Sequence, residues 1–201
     1  SANHFFPSNG TSVTFYGTND PSGTSATRTV LSSQRIGSSD LRIGVLSEPL
    51  SAGFSFYDYA TEDATTLAEF YRTPYVLENA YLFGRSPTSF TRSQDMAVGR
   101  NVIDYWLDSV SAGGTTDDAF ITTVNDAGHP NHVEYEAALS SGDSGAPVFI
   151  DNGMGGLTMV GLNWFITQTT VDEVTSTTGA GHSYLGNYDE EITAFIAANA
   201  V

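Results

Sequence analysis

The stretch from Leu139 to Phe149, Leu-Ser-Ser-Gly-Asp-Ser-Gly-Ala-Pro-Val-Phe, constrains this chain more than any other. Gly142 and Gly145 bracket an Asp-Ser pair and place the Ser144 hydroxyl on a tight turn. Glycine permits backbone dihedrals that a side chain forbids and lets the main chain approach a bound group closely. The N–H groups of Gly142 and Ser144 can then converge on one point, which is the arrangement a developing oxyanion needs. The β-rich run Ala146 to Ile150 follows at once and anchors the turn.

A serine hydroxyl is a weak nucleophile, so it needs a base, and the base needs an orienting carboxylate. The chain offers four histidines. His4 lies in Ser1-Ala2-Asn3-His4-Phe5. His129 and His132 flank Pro130 in a polar loop, and His182 ends Gly179-Ala180-Gly181-His182. For the carboxylate, Asp40 opens the alternating run Asp40-Leu41-Arg42-Ile43-Gly44-Val45-Leu46. An acid at the mouth of a strand buried on one face can meet an imidazole while staying out of water.

Gly142-Asp143-Ser144-Gly145 followed by Ala146 and Pro147 resembles the nucleophile loop of the chymotrypsin-like serine proteases. Ala2-Asn3-His4 is similar to that family's histidine motif, and the Asp40 strand resembles its aspartate motif. The order His4, Asp40, Ser144 is also the family's. The resemblance implies an all-β fold of two antiparallel six-stranded β-barrels with a short C-terminal helix. It implies a serine endopeptidase without cofactor or metal, acting on polypeptides through an acyl-enzyme. His4 would be the base, Asp40 its orienter and Ser144 the nucleophile, with Gly142 and Ser144 as oxyanion donors.

The same resemblance places the base of the substrate pocket at Ala138 and Leu139. It places a substrate-pairing strand at Leu157 to Ile166, where Asn163 and Trp164 stand in an uncertain register. A pocket-closing strand falls at Gly181 to Tyr184, with His182 projecting into the pocket. No carboxylate sits at the pocket base, so cleavage after uncharged, chiefly apolar residues is expected. Glutamate is the weaker option, through His182. Two rival readings are a catalytically silent adhesion or structural module of the same fold, and a serine esterase.

By this reading residues 1–50 form the C-terminal half of the first barrel, 51–66 the link, 67–186 the second barrel and 187–201 the helix. Only three strands follow His4 in the first unit: Thr11 to Tyr16, Thr27 to Ile36 and Asp40 to Leu46. An upstream N-terminal segment is therefore expected to complete that barrel. Further on, Leu67 to Tyr71 reads as a helical turn. Tyr75 to Phe83, Met96 to Trp106 and Ala119 to Val124 read as strands, with Ser111 to Asp118 and the Thr-rich Thr167 to Thr178 as loops. In the tail, Asp189 to Ala198 carries Ile192, Phe195 and Ile196 on one helical face, with acids at its positive N-terminal end.

Composition agrees with an all-β chain: 20 glycines and 15% charged residues, with 40% hydrophobic and 12% aromatic content enough for a packed core. There is no cysteine, so disulfides contribute nothing to the fold, and a bacterial secreted or cell-surface protein is the expectation. Seven basic residues, all arginine, face 23 acidic ones for a net charge of −16, and no basic residue follows Arg100. Such a field repels nucleic acid and anionic membranes. No stretch nears the roughly 20 apolar residues of a membrane helix, so no insertion is expected. The acidic loops and the His129/His132 pair lack a ligand spacing that would specify a metal.

Overall fold

A computed structural model describes residues 1–18, 22–85 and 96–199. The fold is mostly β-sheet and ends in a short helix. A three-stranded antiparallel sheet comes first: β1 (Ser12–Tyr16), β2 (Ser25–Arg35) and β3 (Arg42–Leu46), in the order β1-β2-β3. Alternation sets its strands. Val13 and Phe15 share one face of β1, and Val30 at the middle of β2 is buried.

The second sheet holds β4 (Asp58–Tyr59), β5 (Asn79–Arg85), β6 (Met96–Ala112), β7 (Thr115–Thr123), β8 (Pro147–Asp151), β9 (Leu157–Val171) and β10 (Val174–Tyr184). Its order is β10-β7-β6-β5-β8-β9-β4, and β10 also pairs with β9, so the ladder returns on itself through β5 to β10. The two-residue β4 adds in parallel to β9 within the segment read as a link. A one-turn helix α1 (Leu67–Phe70) is capped by Thr66, whose hydroxyl accepts the Glu69 N–H. The C-terminal helix α2 runs Asp189–Asn199, with Asp189, Glu190 and Glu191 in its first turn.

The structure corrects several readings of the sequence. Thr167 to Thr178 is not a loop: it is the tip of the β9–β10 hairpin, turning at Asp172 and Glu173, both with positive φ (48° and 65°). Its strands carry threonine in place of apolar alternation. Threonine is β-branched and suits a pleat exposed on both faces, and Thr170 and Thr175 hydrogen-bond across it at 2.8 Å. Likewise Ser111 to Asp118 is a hairpin, with Gly113 and Gly114 (φ 58° and 80°) supplying the two-residue turn that matches strand twist. Strand β5 begins at Asn79 and not Tyr75, because Leu77 takes φ 61° and breaks the extended run. Of the tail's expected apolar face, Ile192 is buried while Ile196 is exposed.

Phe70, Trp106, Phe120 and Tyr184 form an aromatic knot inside the second sheet, with Trp106 and Tyr184 edge-on at 5.5 Å. A second cluster joins Ile36 and Leu41, at the two ends of the turn between β2 and β3, to Leu162, Leu185 and Ile192. This cluster docks the two sheets, and it lies directly behind the turn that carries Asp40.

Candidate active site

His4 sits in a single 3₁₀ turn, Asn3–Phe5. That turn is stitched to the Asp40 region from both sides. Ala2 bridges Leu41, Asn3 N–H donates to Asp40 O, and the Arg42 guanidinium donates to Asn3 Oδ1 at 2.9 Å. Asp40 in turn stands on a tight turn closed by buried Ser39, whose hydroxyl donates to Ile36 O at 2.6 Å and accepts the Leu41 N–H at 3.1 Å. The Asp40 carboxylate is buried. It accepts the His4 backbone N–H at 3.1 Å and meets His4 Nδ1 at 2.5 Å. A carboxylate accepts only, so Nδ1 carries a proton, and in the neutral imidazole Nε2 keeps its lone pair. The His4 side chain is 44% exposed, so that lone pair can reach solvent or a substrate.

Ser144 belongs to the loop between Leu139 and β8. Gly142 takes φ 101° and Gly145 φ 80°, and both dihedrals favour glycine. At Gly145 a Cβ would lie 2.5 Å from the Ala2 backbone nitrogen, so this loop rests on the very segment that carries His4. Asp143 points inward, and its Oδ2 accepts the Ser140 N–H at 2.7 Å. The Gly142 and Ser144 N–H groups meet no acceptor among the described residues. They are the two groups expected from the sequence to serve as oxyanion donors.

His4, Phe5, Leu139, Gly142, Ser144, Asn163 and Trp164 line one cleft of about 350 Å³, together with Ser140, Ser141, Asp143, Phe165 and Ile166. Ser140, Ser141, Phe165 and Ile166 flank the residues that the sequence marks out, and only the fold turns them to this wall. Trp164 is the extra residue of a β-bulge: β10 pairs Gly181 with Phe165 and then His182 with Asn163. The uncertain register at this point of the sequence has that bulge as its cause.

Two expected pocket residues are placed elsewhere. Ala138 is exposed and off the cleft wall. His182 is fully buried and stacks on Phe120 at 4.8 Å instead of projecting into the cleft. Its hydrogen bonds define its state. Asn163 Nδ2 donates to Phe83 O at 2.7 Å and Asp143 O at 3.2 Å, which leaves Asn163 Oδ1 facing His182 Nδ1 at 3.0 Å. Nδ1 must therefore donate, and Nε2 accepts the Thr122 hydroxyl at 3.0 Å. Burial without a counter-charge pushes this imidazole down to about 3, so it is neutral at ordinary pH. Of the other histidines, His132 bonds Glu136 at 2.9 Å in the polar loop, and the carboxylate raises its pKa.

Gly84 lies under the loop, where a Cβ would come within 2.6 Å of Asp143 Cγ. Gly84→Ala is expected to push that carboxylate off the Ser140 N–H. Overpacking of this kind costs about 1–3 kcal/mol. Urea unfolding reads that loss, and amide exchange at Ser140 should quicken by about tenfold or more as its acceptor is lost. An unchanged exchange rate would show that Asp143 does not set the loop.

No protein-family model and no curated protein matches this sequence.

Proposed function

We propose that this chain is a serine endopeptidase of the chymotrypsin-like kind, with the cyclic six-strand ladder as its second β-barrel and the β1–β3 sheet as part of its first. One observation carries the reading. His4, hydrogen-bonded to a buried Asp40, shares a cleft with Ser144, although the three residues stand on three separate turns from distant parts of the chain.

The proposed chemistry follows from the roles available. Ser144 Oγ attacks a peptide carbonyl while His4 Nε2 takes its proton, and Asp40 holds the imidazole by Nδ1 and balances its charge. The carbonyl oxygen becomes an oxyanion against the Gly142 and Ser144 N–H groups. His4 then gives the proton to the leaving amine, which departs and leaves an acyl-Ser144 ester. Water, deprotonated by His4, attacks that ester, and the acid leaves as His4 returns the proton to Ser144 Oγ.

Substrate preference follows from the lining. Leu139, Trp164, Phe165 and Ile166 give the cleft apolar surface, while the polar atoms of Asn163 and His182 are committed internally. No cation remains there to pair with an acidic side chain among the described residues, so cleavage after apolar residues is expected and the glutamate option loses its basis. The test is a fluorophosphonate probe with mass mapping to Ser144, followed by a peptide library. Labelling with cleavage after apolar residues supports the reading. An unlabelled protein favours the silent module, turnover of esters alone favours the esterase, and cleavage mainly after arginine or glutamate overturns the pocket assignment.

A further inference from the structure

Asn163 makes more contacts with the nucleophile loop than its place on the cleft wall requires. Its backbone O accepts the Gly145 N–H at 2.7 Å, and its N–H donates to Ala146 O at 2.9 Å. Its carboxamide nitrogen donates to Asp143 O and to Phe83 O of β5. One residue thus grips the loop at Asp143, Gly145 and Ala146, on both sides of Ser144. The grip works in only one orientation of the amide. Reversed, Oδ1 would face two carbonyl oxygens, which repel it and leave buried acceptors unmatched. The two carbonyls turn Oδ1 toward His182, whose Nδ1–H then meets the acceptor it needs and holds the amide from the other side. Thr122 completes the chain, since its rotatable hydroxyl lies 3.0 Å from Nε2 and can donate to it.

Resting on the endopeptidase reading for its catalytic consequence, we propose that Asn163 is a positioning residue that clamps the oxyanion loop, with His182 acting through it to fix its carboxamide. Neither touches the reacting atoms. Their effect is to hold the Gly142 and Ser144 N–H groups convergent before substrate arrives, which is where preorganised donors gain their advantage over water.

Asn163→Asp tests the clamp at constant shape, since it puts a carboxylate oxygen against the Phe83 and Asp143 carbonyls. It is expected to lower kcat by about 10²-fold, the scale of losing an oxyanion donor, with KM within about threefold of wild type. Amide exchange at Ser140, Asp143 and Gly145 should quicken at least about tenfold, while β6–β7 amides keep their rates. His182→Leu should show the same pattern more weakly. His182→Asn should restore it, because its amide nitrogen can reach the Nδ1 position. A measurement on the wild-type protein guards against variants that do not fold: ¹⁵N spectra of the His182 ring should show the neutral Nδ1–H tautomer throughout the pH range in which the protein is folded.

A titrating or Nε2-protonated His182 overturns the clamp, as does unchanged loop exchange and kcat in Asn163→Asp and His182→Leu. If the wild type neither cleaves peptides nor takes the fluorophosphonate label, the endopeptidase reading falls instead, and the exchange and ¹⁵N measurements still decide the clamp.

Discussion

Ser144→Ala and His4→Ala should each abolish peptide hydrolysis, lowering kcat by about 10⁴–10⁶, and the double variant should be scarcely worse than either alone. In the proposed mechanism the two groups act in one step. Without the hydroxyl there is nothing for His4 to deprotonate, and without the imidazole the hydroxyl remains a weak nucleophile. Asp40→Asn should cost about 10⁴, because an amide can present an N–H to Nδ1 and so favour the wrong tautomer. Turnover of a peptide anilide with an apolar residue before the scissile bond measures all three. Activity within tenfold of wild type in His4→Ala would remove His4 from the mechanism. His182, sealed behind Asn163, could not replace it.

Acid should unfold the protein through His182. In the unfolded chain an imidazole takes its proton near 6.5, whereas in the fold His182 resists until about 3. Across that interval the unfolded state binds more protons, so folding stability is fully present above 6.5 and is lost as pH falls. Each tenfold difference in proton affinity between the two states is worth about 1.4 kcal/mol, so the loss is on the order of several kcal/mol. Asp117 opposes it. Its carboxyl is buried, accepts the Tyr188 hydroxyl, and is pushed up to about 6 by desolvation. There the folded state binds more protons between about 4 and 6, so this group's contribution falls as pH rises through that window. Urea unfolding across the interval should therefore show a flatter acid dependence in His182→Asn and a steeper one in Asp117→Asn. Equal slopes in all three proteins would mean that neither burial governs the acid response.

How much of this is legible in the sequence depends on what carries the signal. The strands with apolar alternation, β1 to β3 and the inner part of β9, are readable from residue type alone. Asp189 to Ala198 is readable as a helix because its acids and spacing agree. The hairpin at Thr167 to Thr178 is not, because its information lies in β-branching and in two positive-φ residues that are not glycine. The pairing of His4 with Asp40 can be expected from motif order, but its geometry comes from Ser39, Asn3 and Arg42, which no spacing rule selects. Asn163 and His182 can be expected near the substrate strand. Their bond to each other is hidden, because a bulge at Trp164 sets which β9 residue faces His182.

The cluster of Ile36, Leu41, Leu162, Leu185 and Ile192 has a consequence for the order in which a ribosome delivers the chain. Synthesis runs from the N-terminus, so His4 and Asp40 emerge long before Ser144, and Ser144 emerges before the residues that dock its sheet onto theirs. A nascent chain holding the complete set of reactive groups still lacks Leu185 and Ile192, and its two sheets have no shared apolar seat. On the proposed function, cleaving power would arrive only with the last turns of the fold, once the seat between the sheets is complete.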